Sequence, residues 1–331
     1  MSDTLTDYRR YLDPRTLARI SSLDLRARLI VEGLMTGMHR SPYQGASVEF
    51  AQHRPYVPGD DIRRVDWKVL AKTDRVYLKQ YEEETNLQLI LVVDASESMG
   101  YGTVRGVSGA GGGAENPGGM FSGNWSLNAG NSVPWTKYDH ATAIAASMAY
   151  MAIQQQDSVG LAIFDQQLAR YFKPSNSPGQ WKIVVSELQM VPKWNKTSMG
   201  KVLDQIAEKV RHRSLIVILS DFFDDIDSIK RGLRHLRHRK HEIMALQILD
   251  PAEIDFPFED VTLFKGLEEL GELLTEPRAL RDGYMEQLNA FTQDMKKMCR
   301  GMNVDFKRFN SGEPLDVALS SFLATRAASM K

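Results

Sequence analysis

The sequence predicts an α/β protein built on a doubly wound, mostly parallel sheet. Four continuous apolar runs, LQLILVV (87–93), SVGLAIF (158–164), SLIVILS (214–220) and EIMALQIL (242–249), have the length and composition of strands buried on both faces. Stretches of helical period separate them, and strands alternating with helices close into a parallel sheet. With 331 residues, 43% of them hydrophobic and 25% charged, the chain can bury a core of normal size without disulfides or a structural metal.

In chain order, residues 14–38 carry Leu17, Ile20, Leu23, Leu25, Leu29, Ile30 and Leu34 at helical spacing, with Gly33 and Gly37 expected to end the helix. Residues 45–85 read as short β pieces and turns, Pro58-Gly59-Asp60 being a turn and Val76 to Gln80 an edge strand. A domain boundary is expected near residue 85, giving a small helix plus β-rich segment (1–85) ahead of an α/β domain (86–331). Asp139 is placed to cap a helix running to about Gln156. LARYFKP pairs back on the second apolar run as a hairpin. Helices are expected at 180–190, 198–211, 225–237, 282–300 and 314–326, with a short strand at 303–306.

Charge and cysteine usage narrow the function classes. Forty-one basic against 42 acidic side chains give a net charge of −1, which argues against a nucleic-acid binder working through bulk electrostatics. Cys299 is the single cysteine, so neither a disulfide framework nor a cysteine-built zinc site can form. The polar N-terminus and the lack of a long apolar run predict a cytoplasmic protein with no membrane span. Between Tyr101 and Val133, ten of 33 residues are glycine and only Arg105 and Glu115 are charged, the composition of a mobile loop.

Ligands of open α/β sheets bind outside the carboxyl ends of the strands. After LILVV come Asp94, Ser96, Glu97 and Ser98; after LIVIL come Ser220 and Asp221; Thr197 opens a helix nearby. A carboxylate followed by two hydroxyls on a turn sends several oxygens to one point, a donor set suited to a hard cation such as Mg²⁺.

Asp94-Ala95-Ser96-Glu97-Ser98-Met99, with Thr197 and Asp221, resembles the metal-ion-dependent adhesion site of von Willebrand factor A-like domains. The segment YVPGDDIRRVDWKVLAKTDRVYLKQYEEE resembles the signature of the bacterial domain of unknown function 58 family, which couples such a segment to an A-type domain. The resemblance implies a Rossmann-like, von Willebrand factor A-like fold. It further implies metal ligation by Asp94, Ser96, Ser98, Thr197 and Asp221, with Mg²⁺, Mn²⁺ or Ca²⁺ as the ion. In such sites the metal's open position takes a partner's carboxylate. The same resemblance implies a non-enzymatic adaptor working with a MoxR-type AAA+ ATPase and client proteins in assembly or maturation. Two departures stand out: Glu97 adds charge beside the site, and the glycine-rich stretch at about 101–133 directly follows it.

Competing readings use the same residues. A metal-dependent hydrolase or phosphotransferase would need Glu97 or Asp165 as its base, and a degenerate scaffold would bind no metal. Asp60, Asp61, Arg63, Arg64, Asp66 and Trp67 read as an ion-pair and turn network, and the basic run from Lys230 to Lys240 as a solvated helix face. There is no Gly-x-x-x-x-Gly-Lys-Ser/Thr and no Gly-x-Ser-x-Gly, so neither ATP hydrolysis nor an α/β-hydrolase elbow is expected.

Overall fold

The computed structural model describes residues 14–17, 22–38, 53–55, 69–70, 76–79, 87–105, 134–190, 198–260, 262–265 and 272–315. The chain divides into two compact units, one formed by Met1–Met38 with Leu87–Lys331 and the other by His39–Asn86.

The first unit opens with α1 (Pro14–Leu17) and α2 (Leu23–Met38). The helix α2 runs through Gly33 and Gly37, where a stop was expected. Glycine costs an exposed helix interior about 1 kcal/mol, and tertiary anchoring outweighs that here. Trp181 Nε1 donates to Asp24 Oδ1 at 2.6 Å, and the Arg26 guanidinium lies over the Trp135 ring at 5.2 Å.

The smaller unit contains the antiparallel pair β1 (His53–Pro55) and β2 (Tyr77–Lys79), with Arg54 opposite Leu78. The turn expected at Pro58-Gly59-Asp60 and the Asp60 to Trp67 network lie outside the described residues.

The α/β part of the larger unit begins with β3 (Gln88–Asp94), then a short ribbon of β4 (Val104–Arg105) and β5 (Pro134–Trp135), then α3 (Lys137–Gln154). Next come β6 (Ser158–Phe164), β7 (Leu168–Ser175), α4 (Gln180–Leu188), α5 (Met199–Lys209), β8 (Leu215–Ser220) and α6 (Ile226–His238). The remainder is β9 (Glu242–Leu249), α7 (Pro251–Asp255), the hairpin of β10 (Thr262–Lys265) and β11 (Glu272–Thr275), α8 (Pro277–Gly301) and β12 (Asp305–Asn310). The glycine-rich residues 106–133 and the helix expected at 314–326 fall, apart from 314–315, outside the described residues.

The central sheet has the order β12-β9-β8-β3-β6-β7. All neighbours are parallel except β6 and β7, the predicted hairpin. Alternation along each strand sends side chains to two cores. Leu89, Leu91 and Val93 face α2, α3 and α4, whereas Ile90 and Val92 face α5, α6 and α8. Helices on both faces explain why the strands read as unbroken apolar runs.

At the start of α3 the cap is Thr136, one turn earlier than expected: its hydroxyl accepts from Asp139 N while Asp139 accepts from Thr136 N. Asp139 is thus the third residue of a capping box. Cys299 is a packed thiol on α8, fully buried, and burial pushes it up to about 12. Among the described residues no helix is long and apolar enough to cross a membrane.

Candidate functional site at the carboxyl edge of the sheet

The strand order places the ends of β3 and β8 side by side at the centre of the sheet, where the connection order reverses. Asp94 ends β3 and is sealed from solvent. Its Oδ1 accepts from Ser96 N at 2.9 Å, and its Oδ2 accepts from Ser220 Oγ at 2.5 Å. Beyond it the chain turns into a short 3-10 helix, Glu97–Gly100, which brings Ser96 Oγ and Ser98 Oγ within 3.1 Å of each other. Three of the five predicted ligands therefore converge. Thr197 lies outside the described residues, which resume at Ser198.

Asp221 follows β8 and is also buried. Its Oδ1 accepts from Phe223 N at 3.2 Å, and its backbone carbonyl accepts from Gln247 Nε2 at 3.0 Å. Phe222 adopts a φ of 61°, unusual for a bulky side chain, and its N–H donates to Ser220 Oγ at 2.9 Å. That turn buries Phe222 in the core and leaves Phe223 39% exposed at the edge of the site.

The partner of Asp221 is a residue the sequence reading did not single out. Lys137, the first residue of α3, is 0% exposed, and its Nζ donates to Asp221 Oδ2 at 2.8 Å and to Glu253 Oε1 at 2.6 Å. Its backbone N–H donates to Tyr101 O at 2.9 Å, and its ammonium lies 5.3 Å from the Phe223 ring centre. Glu253 is held in turn by a capping box on α7: its Oε2 accepts from Asp250 N, and Asp250 Oδ1 accepts from Ala252 N. Asp250 also accepts from Thr103 N at 2.8 Å, tying α7 to the segment that leaves the 3-10 turn.

Electrostatics follow from burial and charge. Desolvation, reinforced by the nearby Asp221 charge, pushes Asp94 up to about 7, against the hydrogen bonds from Ser220 and Ser96. Desolvation works against the Lys137 charge, but Asp221 and Glu253 outweigh it and raise Lys137 above its ordinary value. Burial raises Glu253 although Lys137 opposes this.

A divalent ion shared by both strand ends does not fit this arrangement. Each oxygen of Asp94 and of Asp221 accepts one bond from a protein donor and keeps a free lone pair, so the obstacle to an ion is the cation already on Asp221. An ion on Asp221 would stand against the Lys137 ammonium. Repulsion between a double and a single charge about 4 Å apart is on the order of 8 kcal/mol at an effective dielectric constant of about 20. The other proposed acids play local parts. Asp165 N donates to Gln167 O and Asp165 Oδ1 accepts from Gln167 N, a turn after β6, while Glu97 opens the 3-10 helix.

A mostly parallel six-stranded sheet with an antiparallel edge strand and helices on both faces, its central strand closed by Asp-x-Ser-x-Ser, defines a doubly wound α/β domain. The chain belongs to the family described as protein of unknown function DUF58, whose sequence model matches residues 52–108 and 125–293. It is similar to uncharacterized protein Rv1480 of Mycobacterium tuberculosis and uncharacterized protein Mb1516 of Mycobacterium bovis. Each is 25% identical over 320 residues, covering 95% of this chain and 90% of the relative. Among solved structures, BatB from Bacteroides thetaiotaomicron aligns with a TM-score of 0.43 at 12% identity, over 73% of this chain and 99% of that one. An aerotolerance-related membrane protein from Bacteroides fragilis aligns with a TM-score of 0.40 at 10% identity, over 71% of this chain and 97% of that one.

Proposed function

We propose that the protein is a non-enzymatic adaptor that recognises partner proteins at the carboxyl edge of its sheet, around the exposed Phe223 and above the buried Ser96 and Ser98. The observation that carries this reading is the closed bonding of the buried charges. The carboxylates of Asp94 and Asp221 and the Lys137 ammonium are all bonded to one another or to neighbouring backbone and hydroxyl groups. Groups committed in this way stiffen the surface around them. Beside them stands a half-exposed aromatic ring, a side chain suited to anchoring a partner.

The cellular setting we propose is work alongside a MoxR-type AAA+ ATPase in the assembly or maturation of client proteins, in the cytoplasm. That setting rests on the family resemblance. The test is direct binding of the purified chain to the MoxR-type ATPase of the same organism, by calorimetry. Wild type should bind, and Phe223→Asp, which puts a charge in place of the exposed ring, should bind at least roughly tenfold more weakly while its circular dichroism stays that of the folded chain. No binding by wild type overturns the ATPase partnership, and equal binding by both proteins overturns this face as the contact.

A further inference from the structure

We propose that Lys137 is the built-in cation of this site: its ammonium takes the place of a divalent ion on Asp221, tying the end of β8 to Glu253 of α7, and the site is complete without metal. The proposal concerns the same face as the adaptor reading but is independent of any partner.

Three observations carry it. First, the position is costly for a lysine unless the charge has a task. Lysine is almost never fully buried unless paired, yet Lys137 is 0% exposed and makes two short carboxylate bonds. Second, Lys137 is the first residue of the 18-residue helix α3, where the helix dipole presents its positive pole. A cation there is disfavoured by its own helix, so local sequence preference does not explain it. Asp221 and Glu253, from two other segments, do. Third, the ammonium makes the connections expected of a bridging ion. It links the end of β8 through Asp221 to α7 through Glu253, while its backbone N–H holds Tyr101, just past the 3-10 turn that carries Ser98. Phe223 lies over the charge at 5.3 Å and excludes water from that side.

A tethered ammonium differs from a bound ion in what it allows. It cannot dissociate or be removed by a chelator, and two of its three hydrogens are committed to the fixed carboxylates of Asp221 and Glu253. A single positive charge also leaves room for only one cation between Asp221 and Glu253. Removing it should therefore create a divalent site that the wild-type chain lacks.

The experiment is titration of the full chain with Mn²⁺, followed by electron paramagnetic resonance after chelator treatment. Wild type should show no stoichiometric Mn²⁺ binding in the millimolar range. Lys137→Ala should gain one bound ion at least roughly tenfold more tightly, and Asp221→Asn added to that variant should abolish the gain. One equivalent bound by wild type and lost in Ser96→Ala overturns the proposal. So does a folded Lys137→Ala chain with no gain. If the alanine variant does not fold, Lys137→Met keeps the volume without the charge and is judged by the same outcomes.

Discussion

Ser220 Oγ donates to Asp94 Oδ2 at 2.5 Å, joining two residues 126 positions apart at the ends of the neighbouring parallel strands β8 and β3. The same hydroxyl accepts from Phe222 N, so one side chain holds both the buried acid and the strained turn that follows β8. Ser220→Ala leaves an acceptor and a donor unpaired in the interior. We expect it to lower stability by about 1–3 kcal/mol, measured by urea unfolding monitored by circular dichroism. A loss under a few tenths of a kcal/mol would show that the two groups find other partners.

That bond also marks how far the sequence could be read. The four apolar runs were legible because each strand is covered on both faces, which removes polar alternation and leaves a signal inside one short window. Asp94, Ser96 and Ser98 were legible for the same reason, since a turn directly after a strand fixes where they lie. Lys137 was not. A lysine at a helix start reads as a surface residue, and its partners Asp221 and Glu253 lie 84 and 116 positions away. Ser220 was visible as a strand-end residue, but its bond to Asp94 depends on strand order, which no local pattern carries. The cap at Thr136 was missed because Asp139 is an equally good capping residue, and the capping box uses both.

The packing of α5 on α6 depends on a close approach at Gly232. A Cβ there would lie 2.6 Å from Leu203 Cβ and 3.1 Å from Gly200 O, one a core side chain and the other helix backbone. Neither can give way without moving a helix. Gly232→Ala should therefore destabilise the fold by about 1–3 kcal/mol, although alanine is the better helix former. Thermal unfolding checks the sign: a rise in Tm would mean the two helices separate freely.

His140 makes stability fall in mild acid. Burial pushes its imidazole down to about 3, offset only in part by a hydrogen bond to the Ser311 backbone. Trp135 Nε1 donates to Nδ1 at 3.4 Å, which also requires that nitrogen to be unprotonated. Its folded value lies below its unfolded value, so its contribution is fully present above about pH 6.5 and is lost as pH falls toward 3. The slope is about 1.4 kcal/mol per pH unit, or about 2 kcal/mol between pH 6.5 and 5. Urea unfolding at pH 7 and pH 5 should show wild type losing more stability than His140→Gln by about that amount. Parallel losses in the two proteins would assign the acid sensitivity elsewhere.

Phe223 separates recognition from stability at the sheet edge. Its backbone conformation follows from the turn at Phe222, and its ring, 39% exposed, touches the site on one side and Phe291 at 6.0 Å on the other. A partly exposed aromatic beside buried charge loses little on truncation in the free protein but much in a complex, where it would be fully covered. Phe223→Ala should cost the fold no more than about 1.5 kcal/mol while weakening binding to the MoxR-type ATPase roughly tenfold or more. Calorimetric binding beside urea unfolding gives both readings on one preparation. Binding that weakens only in step with stability would make Phe223 a packing residue. Unchanged binding would move the recognition surface away from this edge, leaving the Lys137–Asp221 bond as a structural tie between α3 and β8.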